Sequence, residues 1–390
     1  MDIYDKLGVR KVINAWGTIT AIGGSLMPPE AYQAMVEAGR SFVFLDELQC
    51  KAGEYIAALL GVEAACISSG AAGGMVLAAA ACLTGTDPQR IWALPNTEGW
   101  RNEIIVQRDD GPNYVYQGMS HTGARLVQVG TAQEMTVADI EAGISENTAA
   151  IMLYLGTRRP PAVSEVAPIA RRAGVPLIVD AAAELPPRVN FTRPLEQGVD
   201  LIIFSGGKGI FGPQGTGLVL GRKALIEACR LNSSPHSAIG RPMKVGKEDI
   251  AALVAALEVF VSRDEEAQMQ EYKRRADIIV QALAGLKGIE ARTLMADPRA
   301  RPVVPRVYVD LQEGYGLTGR QVCERMLAGE LPVAIGETGG RGARGCDVAG
   351  GVAGAGGRAE AEGSAQFDGM SSETASHREV PRWLAVSRGP

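Results

Sequence analysis

Residues 176–209, PLIVDAAAELPPRVNFTRPLEQGVDLIIFSGGKG, contain the stretch that decides the fold. Two apolar runs, 176–179 and 201–204, have the length and the β-branched composition of buried strands. An acid, Asp180, follows the first run, and an amine, Lys208, follows the second after a serine-glycine-glycine turn. If the two runs form parallel strands of one sheet, both groups lie beyond the carboxyl ends of the strands, where such sheets bind ligands.

The same alternation of apolar runs and helical patterns extends along the chain. Further strands are predicted at 64–67, 104–107, 125–129, 150–155 and 217–220. Helical periodicity occupies 29–38, 48–60, 137–142 and 163–173, and a helix is also expected from the turn after Ile67 to Leu83. This order predicts an α/β fold in three layers, with a mostly parallel sheet covered by helices on both faces.

Composition shifts predict the domain organisation. We expect an N-terminal arm at 1–27, a large domain at 28–245, a smaller C-terminal α+β domain at 246–338 and an atypical tail at 339–390. The smaller domain begins with a long helical region, 249–286, followed by a strand at 303–311, a helix at 318–328 and a short strand at 332–335. The tail mixes Gly, Ala, Ser and Glu without apolar periodicity, so we predict that it is largely disordered.

Overall composition narrows the possible partners and compartment. The 390 residues carry a net charge of -5, and their Lys and Arg residues form no basic block, which disfavours a nucleic-acid surface. The six cysteines include no Cys-x-x-Cys pair and the three histidines do not cluster with them, so we expect no metal site and a reducing compartment. No apolar leader opens the chain, and the Ala- and Gly-rich stretch 64–83 favours a buried helix over a membrane span; we expect a cytoplasmic protein without a membrane partner.

An amine and a strand-end acid together are what pyridoxal 5′-phosphate (PLP) requires. The cofactor forms an imine with a lysine, here Lys208, and a carboxylate such as Asp180 keeps its pyridine nitrogen protonated. Ala182 is small enough for a flat ring to lie against the strand end. Simpler interpretations stay open: Lys208 as a surface lysine, Asp180 as a helix cap and Ala182 as a small core residue.

The cofactor phosphate needs several donors, and the turn Ser68-Ser69-Gly70-Ala71-Ala72 offers backbone N–H groups at a predicted helix N-terminus. Ser205 could add a hydroxyl from the lysine turn. The alternative for the first turn is a capped helix packed tightly on the sheet.

Three further residues could bind anions. Thr216 could offer its hydroxyl to the phosphate from a neighbouring subunit, although a tight turn between two strands explains its surroundings equally well. Arg241 and Lys244 are candidate substrate-binding residues; as exposed loop charges they could equally have no partner.

The combined motifs resemble the fold-type I PLP enzymes, and more narrowly the group of bacterial selenocysteine synthase (L-seryl-tRNA selenium transferase) and D-glucosaminate-6-phosphate ammonia-lyase. The resemblance covers residues 1–338 and includes these motifs: LGVR at 7–10, VINA at 12–15, GT at 17–18, GGSLMP at 23–28, SGAA at 69–72, VDAA at 179–182, SGGKG at 205–209, GPQ at 212–214 and IGRPMKV at 239–245. It implies an aspartate-aminotransferase-like fold with a small C-terminal domain, and a homodimer or larger assembly with the active site at the subunit interface.

By this resemblance Lys208 is the Schiff-base lysine, Asp180 the pyridine partner, and Ser69, Gly70 and Ala71 the phosphate cradle. The chain departs from the family in two places: 108–114 lacks a basic or histidine-containing turn, and the family's final strands and helix do not appear after Gly336.

The expected function is α,β-elimination and deamination of a hydroxylated amino acid or amino-sugar acid by a PLP-dependent lyase. The alternatives are a selenium or sulfur transferase acting on seryl-tRNA, and a PLP-binding relative that the altered tail leaves inactive.

Overall fold

A computed structural model describes residues 2–156, 160–295, 304–338 and 345–349. Contacts divide the chain into two compact units, which are described separately. The larger unit is formed by Gly23–Glu265, and the smaller unit joins the first 22 residues to the described residues after Glu265.

The helices and strands of the described residues are numbered in chain order. The helices are α1 (Ile3–Leu7), α2 (Pro29–Gly39), α3 (Leu45–Leu60), α4 (Gly70–Thr84), α5 (Pro88–Ala93), α6 (Tyr114–Ser120), α7 (Val137–Gly143), α8 (Val163–Ala173), α9 (Arg193–Glu196), α10 (Lys223–Asn232), α11 (Lys247–Ser262), α12 (Glu265–Leu283) and α13 (Gly319–Ala328). The strands are β1 (Ile13–Asn14), β2 (Ala64–Ser69), β3 (Glu103–Gln107), β4 (Arg125–Val129), β5 (Thr148–Tyr154), β6 (Leu177–Asp180), β7 (Leu201–Ser205), β8 (Thr216–Gly221), β9 (Ile289–Leu294), β10 (Arg306–Leu311), β11 (Val333–Ala334), β12 (Gly336–Thr338) and β13 (Gly345–Ala349).

The larger unit is built on a seven-stranded sheet in the order β2-β8-β7-β6-β5-β3-β4. Strands β3 to β7 run parallel to their neighbours among themselves, and β8 pairs antiparallel with both β2 and β7. The predicted α/β fold with a mostly parallel sheet is therefore confirmed.

Alternation of side chains along the strands divides the core into two clusters. On one face, residues such as Val179 and Ile202 pack with α2, α3, α8 and α11. On the other, residues such as Ile178 and Ile203 pack with α4, α6 and α10. Because both faces are covered, the strands are continuous apolar runs, as expected for a buried parallel sheet.

Two glycines allow helices to lie close to strands. A Cβ on Gly53 of α3 would lie 2.4 Å from the carbonyl oxygen of Ala65 in β2. A Cβ on Gly74 of α4 would lie 3.0 Å from Ile203 Cγ2 of β7. These contacts bring the N-terminal turn of α4 beside the strands that carry the predicted site.

The smaller unit contains an antiparallel sheet in the order β12-β13-β10-β9. The arm contributes β1, which pairs parallel with β11 through Ile13 to Val333 and Asn14 to Ala334. Strand β13 lies inside the tail predicted to be disordered, so that prediction is wrong for Gly345–Ala349; its other residues lie outside the described residues. Two strands, β12 and β13, do form from Gly336 onward. Whether the family's final strands and helix are missing stays a prediction.

The two units defined by contacts are divided after α11, whereas the predicted domain boundary lies before it, between residues 245 and 246. This helix was expected to open the smaller domain, yet its buried residues Leu253, Leu257 and Phe260 belong to the larger unit's core. The predicted continuous helical region is two helices, because Arg263 adopts an extended backbone conformation after α11. Its guanidinium carbon lies 4.8 Å from the centre of the Phe211 ring, a contact that favours this break.

Among the described residues, no helix combines the length and apolar character required to cross a bilayer. The cytoplasmic location stays a prediction.

Candidate active site

The acid and the amine of the quoted stretch follow neighbouring parallel strands. Strands β6 and β7 pair in the register Val179 to Ile202 and Asp180 to Ile203. Beyond this register, the Ala181 amide donates to the Ile203 carbonyl at 2.9 Å. Asp180, the last residue of β6, therefore lies at the same edge of the sheet as the turn after β7 that carries Lys208.

Lys208 is partly buried in the turn that follows β7. Burial lowers the pKa of its ammonium, because removal of water penalises the charged form. The nearby carboxylates of Asp180 and Glu184 oppose that effect, but the pKa remains below its usual value. A lowered pKa makes the amine a better proton acceptor at a given pH than an ordinary lysine.

Close backbone contacts hold the lysine turn on both sides. A Cβ on Gly207 would lie 2.4 Å from Gln214 Cα. On the other side, Ser25 Oγ donates to the Gly207 carbonyl at 3.0 Å, and a Cβ on Gly24 would lie 2.6 Å from that same oxygen. Only glycine at Gly207 allows this close packing, which orients the backbone that carries Lys208.

Asp180 is held by its own turn. Its Oδ1 accepts from the Ala182 amide at 2.9 Å, so the predicted capping role is realised as a local side-chain-to-backbone turn. The carboxylate also acts on Tyr114 at the start of α6. Desolvation, and then the Asp180 charge, raise the pKa of the Tyr114 hydroxyl, although the side chain as a whole is exposed.

The predicted phosphate turn lies at the junction of β2 and α4. Gly70 begins α4 with φ +66°, and its amide donates to the Gly215 carbonyl at 2.9 Å. That amide is therefore already used. The amides that follow it, beginning with Ala71, belong to the first turn of a 15-residue helix, where donors lack intrahelical acceptors and the dipole favours an anion.

Two hydroxyls proposed for the phosphate differ in position. Ser205 ends β7 and is partly buried, within the lysine turn. Thr216 is fully buried, and its hydroxyl donates to the Pro213 carbonyl at 2.7 Å. Thr216 packs inside its own turn, where a Cβ on Gly206 would lie 2.0 Å from its Oγ1. The predicted contact of Thr216 with a phosphate held by a neighbouring subunit stays a prediction.

The proposed substrate residues Arg241 and Lys244 are exposed on the loop after α10. Met243, between them, has its sulfur 3.8 Å from the position of a Cβ on Gly73, in the first turn of α4. At Met243 the loop therefore runs beside the first turn of α4. The substrate-binding role of Arg241 and Lys244 stays a prediction.

Sequence reasoning assigned no role to three residues near Lys208 and Asp180: Glu184, Tyr114 and Ser25. The sequence contains only partial indications that these residues belong to the site. Glu184 follows the strand-end acid by four positions, and Tyr114 closes the stretch 108–114 that departs from the family pattern. No local pattern connects Ser25 with Gly207, because 182 positions separate them.

Comparisons with known proteins agree with this geometry. The family model for SelA, L-seryl-tRNA selenium transferase, matches residues 12–287. A 5'-C-glycyluridine monooxygenase-decarboxylase from a Streptomyces species is 34% identical over 303 residues, which cover 75% of this chain and 74% of that protein. D-glucosaminate-6-phosphate ammonia lyase from Salmonella typhimurium (strain 14028s / SGSC 2262) is 32% identical over 341 residues, covering 85% and 88%.

A solved structure of D-glucosaminate-6-phosphate ammonia-lyase superposes with a TM-score of 0.77 at 29% identity, covering 92% of this chain and 96% of that chain. The fold is therefore the fold-type I, aspartate-aminotransferase-like one. The family match includes both turns of the site and most of the larger unit. The chain belongs to the L-seryl-tRNA selenium transferase (SelA) family of enzymes.

Proposed function

We propose that this protein is a PLP-dependent lyase that eliminates a β-hydroxyl group from an amino acid or amino-sugar acid and releases ammonia. One observation carries the proposal: a partly buried amine and a carboxylate follow adjacent parallel strands of a fold-type I sheet. Such a pair, outside the carboxyl ends of the strands, fits a cofactor that needs both groups.

The residues present fit PLP. Lys208 would form the covalent link, Asp180 would pair with the protonated ring nitrogen, and Ala182 leaves room at the strand end. The first turn of α4, with Ser69, Gly70 and Ala71, would hold the phosphate together with Ser205. When bound, the cofactor supplies an electron sink for the bond broken at the substrate's α-carbon.

The chain's own residues handle the protons. Because burial lowers the pKa of Lys208, a larger fraction of its amine is neutral near pH 7 and able to accept the α-proton. The Asp180 carboxylate would pair with the protonated ring nitrogen and so favour the protonated form of that nitrogen. Lys208 can then return its proton to the departing hydroxyl, so the amine acts first as base and then as acid.

The substrate class rests on the loop beside α4. Arg241 and Lys244 are exposed cations near the phosphate turn, which suits a substrate with a carboxylate or a second anionic group. D-glucosaminate 6-phosphate, the substrate named for a 32% identical relative, has this character and is the first compound to test.

The test combines a spectrum with product analysis. Purified protein is treated with PLP and then borohydride, and the labelled peptide is mapped; we expect the label on Lys208. D-glucosaminate 6-phosphate is then added, and ammonia, keto acid, carbon dioxide and oxygen uptake are measured. Ammonia and keto acid in equal amounts support the lyase, whereas no product above background rejects this substrate. Oxygen uptake with carbon dioxide would instead favour chemistry like that named for the 34% identical relative.

A second candidate is selenium or sulfur transfer to seryl-tRNA, favoured by the family match over residues 12–287. The absence of a basic block in the sequence argues against it. Tight, salt-sensitive binding of seryl-tRNA would support this candidate, and binding no stronger than to a non-cognate RNA would reject it. A third candidate is a PLP-binding protein without catalytic activity. In that case the visible spectrum of the bound cofactor should not change when amino acids are added.

We also infer a homodimer or larger homo-oligomer. Phe42 is fully exposed and Phe44 is 83% exposed on the link between α2 and α3, and Val36 adds an exposed apolar side chain on α2. Several large apolar side chains exposed within one short stretch of chain are typical of a subunit contact. Phe42→Asp should lower the mass measured by analytical ultracentrifugation, whereas Trp92→Asp, a change of an exposed aromatic elsewhere, should not; an unchanged mass for Phe42→Asp argues against this contact.

A further inference from the structure

The lysine turn, which continues to Gly212, contains a residue with an unusual backbone conformation. Phe211 has φ +62° and is the one non-glycine residue with a positive φ among the residues that the structure describes. A bulky side chain is strained in this left-handed conformation, and such strain persists only where the surrounding structure holds it. The contacts of Phe211 therefore decide the shape of the turn.

The backbone of Phe211 is bonded to that of the lysine. Its amide donates to the Lys208 carbonyl at 3.0 Å, and the next amide, that of Gly212, donates to the Gly206 carbonyl at 2.8 Å. These two bonds close the turn on both sides of Lys208. The position of Phe211 therefore sets where the lysine backbone lies.

The ring of Phe211 is covered by a cation from a distant segment. Only 6% of Phe211 is exposed, and the guanidinium carbon of Arg263 lies 4.8 Å from the centre of its ring. A cation at this distance is attracted by the electrons of the ring, and more strongly where water is excluded. The turn also packs on α11, the helix that Arg263 follows, because a Cβ on Gly212 would lie 3.0 Å from Leu253 Cδ1.

The backbone around Arg263 is restrained by hydrogen bonds within the larger unit. The Arg263 amide donates to the Phe260 carbonyl at 3.4 Å. Arg188 bonds to both flanks: its guanidinium donates to the Val261 carbonyl, and its amide donates to Glu265 Oε1 at 2.6 Å. The Arg263 side chain therefore extends from a restrained backbone to the ring.

We propose that Arg263 is a positioning residue that acts through the Phe211 ring to hold the left-handed turn, and thereby the place of the Lys208 amine. The proposal rests on the function proposed above, in which this amine binds the cofactor and transfers protons. The guanidinium stabilises a ring position that the strained backbone of Phe211 would otherwise leave. Loss of this contact lets the turn relax and admits water to the amine.

The first test measures the turn in the full-length chain without cofactor. Amide hydrogen exchange of the peptide containing residues 206–212 is followed by mass spectrometry. Arg263→Met replaces the cation by an unbranched apolar side chain, and exchange of this peptide should become about tenfold faster. Peptides of the central sheet, such as the one containing β6, should exchange as in the wild-type protein.

The second test measures Lys208 itself. Lysines are labelled competitively with acetic anhydride over a range of pH, and the Lys208 peptide is quantified. If water reaches the amine, its lowered pKa should move up toward the ordinary 10.5. Removal of the Arg263 charge also raises this pKa, so Phe211→Leu, which removes the ring without changing any charge, must shift the titration in the same direction.

Further variants isolate the contact between cation and ring. The double variant, Arg263→Met with Phe211→Leu, should exchange no faster than Phe211→Leu alone, because both changes remove the same contact. Arg263→Lys keeps a cation and should exchange more slowly than Arg263→Met. The matched control is Arg90→Met: the Arg90 guanidinium carbon lies 5.0 Å from the centre of the Trp100 ring in the same unit, and its loss should leave the lysine turn unchanged.

Two results would overturn the proposal. One is wild-type exchange of residues 206–212 in Arg263→Met. The other is exchange that is faster by the same factor in every peptide, which would show only a loss of global stability. Because Phe211 is buried, Phe211→Leu is the variant most at risk of not folding; the comparison of Arg263→Met with Arg263→Lys then decides.

These experiments separate the inference from the proposed function. Both measurements are made without cofactor or substrate, so a failed product assay does not affect them. Conversely, if borohydride labels no lysine in the PLP-treated wild-type protein, the proposed function fails even where Arg263→Met loosens the turn.

Discussion

The lysine turn of the larger unit and the helix α12 of the smaller unit both bring charges together, with opposite consequences. On α12, hydrogen bonds from Arg274 and then Arg275 lower the pKa of Glu271 to about 2, and all three side chains reach solvent. In the lysine turn, burial outweighs two carboxylates and lowers the pKa of Lys208.

The comparison indicates that solvent exposure decides how a group of neighbouring charges affects stability and pKa. Exposed pairs such as those of Glu271 contribute little to stability, since water already solvates both partners. A partly buried amine is destabilised in its charged form, and this cost makes its proton transferable. Four substitutions test this contrast, and they are given in order of decreasing expected effect.

Lys208→Met removes the buried charge and should have the largest effect on activity. Turnover should fall by roughly 10⁴-fold or more, since no other group replaces the amine. The cofactor-free variant should nevertheless gain roughly 0.5–2 kcal/mol in the free energy of unfolding at neutral pH, as at other sites where function costs stability. Urea denaturation of both proteins measures this gain.

The pH dependence of that gain has a definite sign. The folded-state pKa of Lys208 lies below the ordinary 10.5, so the unfolded chain binds more protons between these two values, and wild-type stability rises with pH there. The advantage of Lys208→Met is fully present below the folded pKa and disappears above about 10.5. Equal stability of the two proteins at pH 7 would contradict this account.

Asp180→Asn keeps the shape of the acid but removes its charge. An amide oxygen can still accept from the Ala182 amide, so the turn should persist. Turnover should fall on the order of 10²- to 10³-fold, as expected when a group that stabilises charge in the site is lost. Steady-state kinetics measure the fall, and a circular dichroism spectrum matching wild type shows that the fold is intact. Undiminished turnover would remove Asp180 from the proposed mechanism.

Gly207→Ala tests whether the close packing of the lysine turn matters. The new Cβ would lie 2.4 Å from Gln214 Cα, so the turn must move, and overpacking of this kind costs about 1–3 kcal/mol. If the strain from the new Cβ is larger in the PLP-bound protein than in the free protein, each 1.4 kcal/mol of that difference weakens PLP binding about tenfold. Gly215→Ala is the matched control in the adjacent turn, because its Cβ meets nothing within 4 Å. Similar PLP titrations for the two variants would show that this packing does not position Lys208.

Glu271→Gln in α12 should have the smallest effect. The pair is exposed, so the loss in unfolding free energy should be about 0.2–1 kcal/mol at neutral pH, smaller in high salt. Because the folded pKa of about 2 lies below the ordinary 4.5, the contribution is present above 4.5 and is lost as the pH falls through about 2. Thermal melts of wild type and variant at several pH values measure it; a large, salt-independent loss would mean that exposure is not the deciding variable.

Many helices and strands of the larger unit could be predicted from the local sequence. The strands at 104–107, 125–129 and 201–204 were predicted to within one residue of their observed bounds. The first and third are continuous apolar runs, as expected for buried strands, whereas the edge strand at 125–129 is only partly buried. Helix α8 was predicted with its observed bounds, since its periodicity is clear and Gly174 ends it in a left-handed conformation.

The errors have long-range causes. Strand β13 comes from a stretch without apolar periodicity and forms because β10 and β12 supply partners for its backbone. The break between α11 and α12 was missed because the helical pattern of side chains continues through Arg263, whose contact is with Phe211. Neither partner is visible in the local sequence.

The sequence by itself determined the class of fold and the chemistry available at the site, because strand periodicity and the turns carrying Asp180 and Lys208 are local properties. The packing of distant segments, in contrast, decided that Lys208 is partly buried, that Ser25 donates to the Gly207 carbonyl, and that Thr216 is buried. These outcomes depend on burial and on contacts between distant segments, and both arise only when the chain has packed.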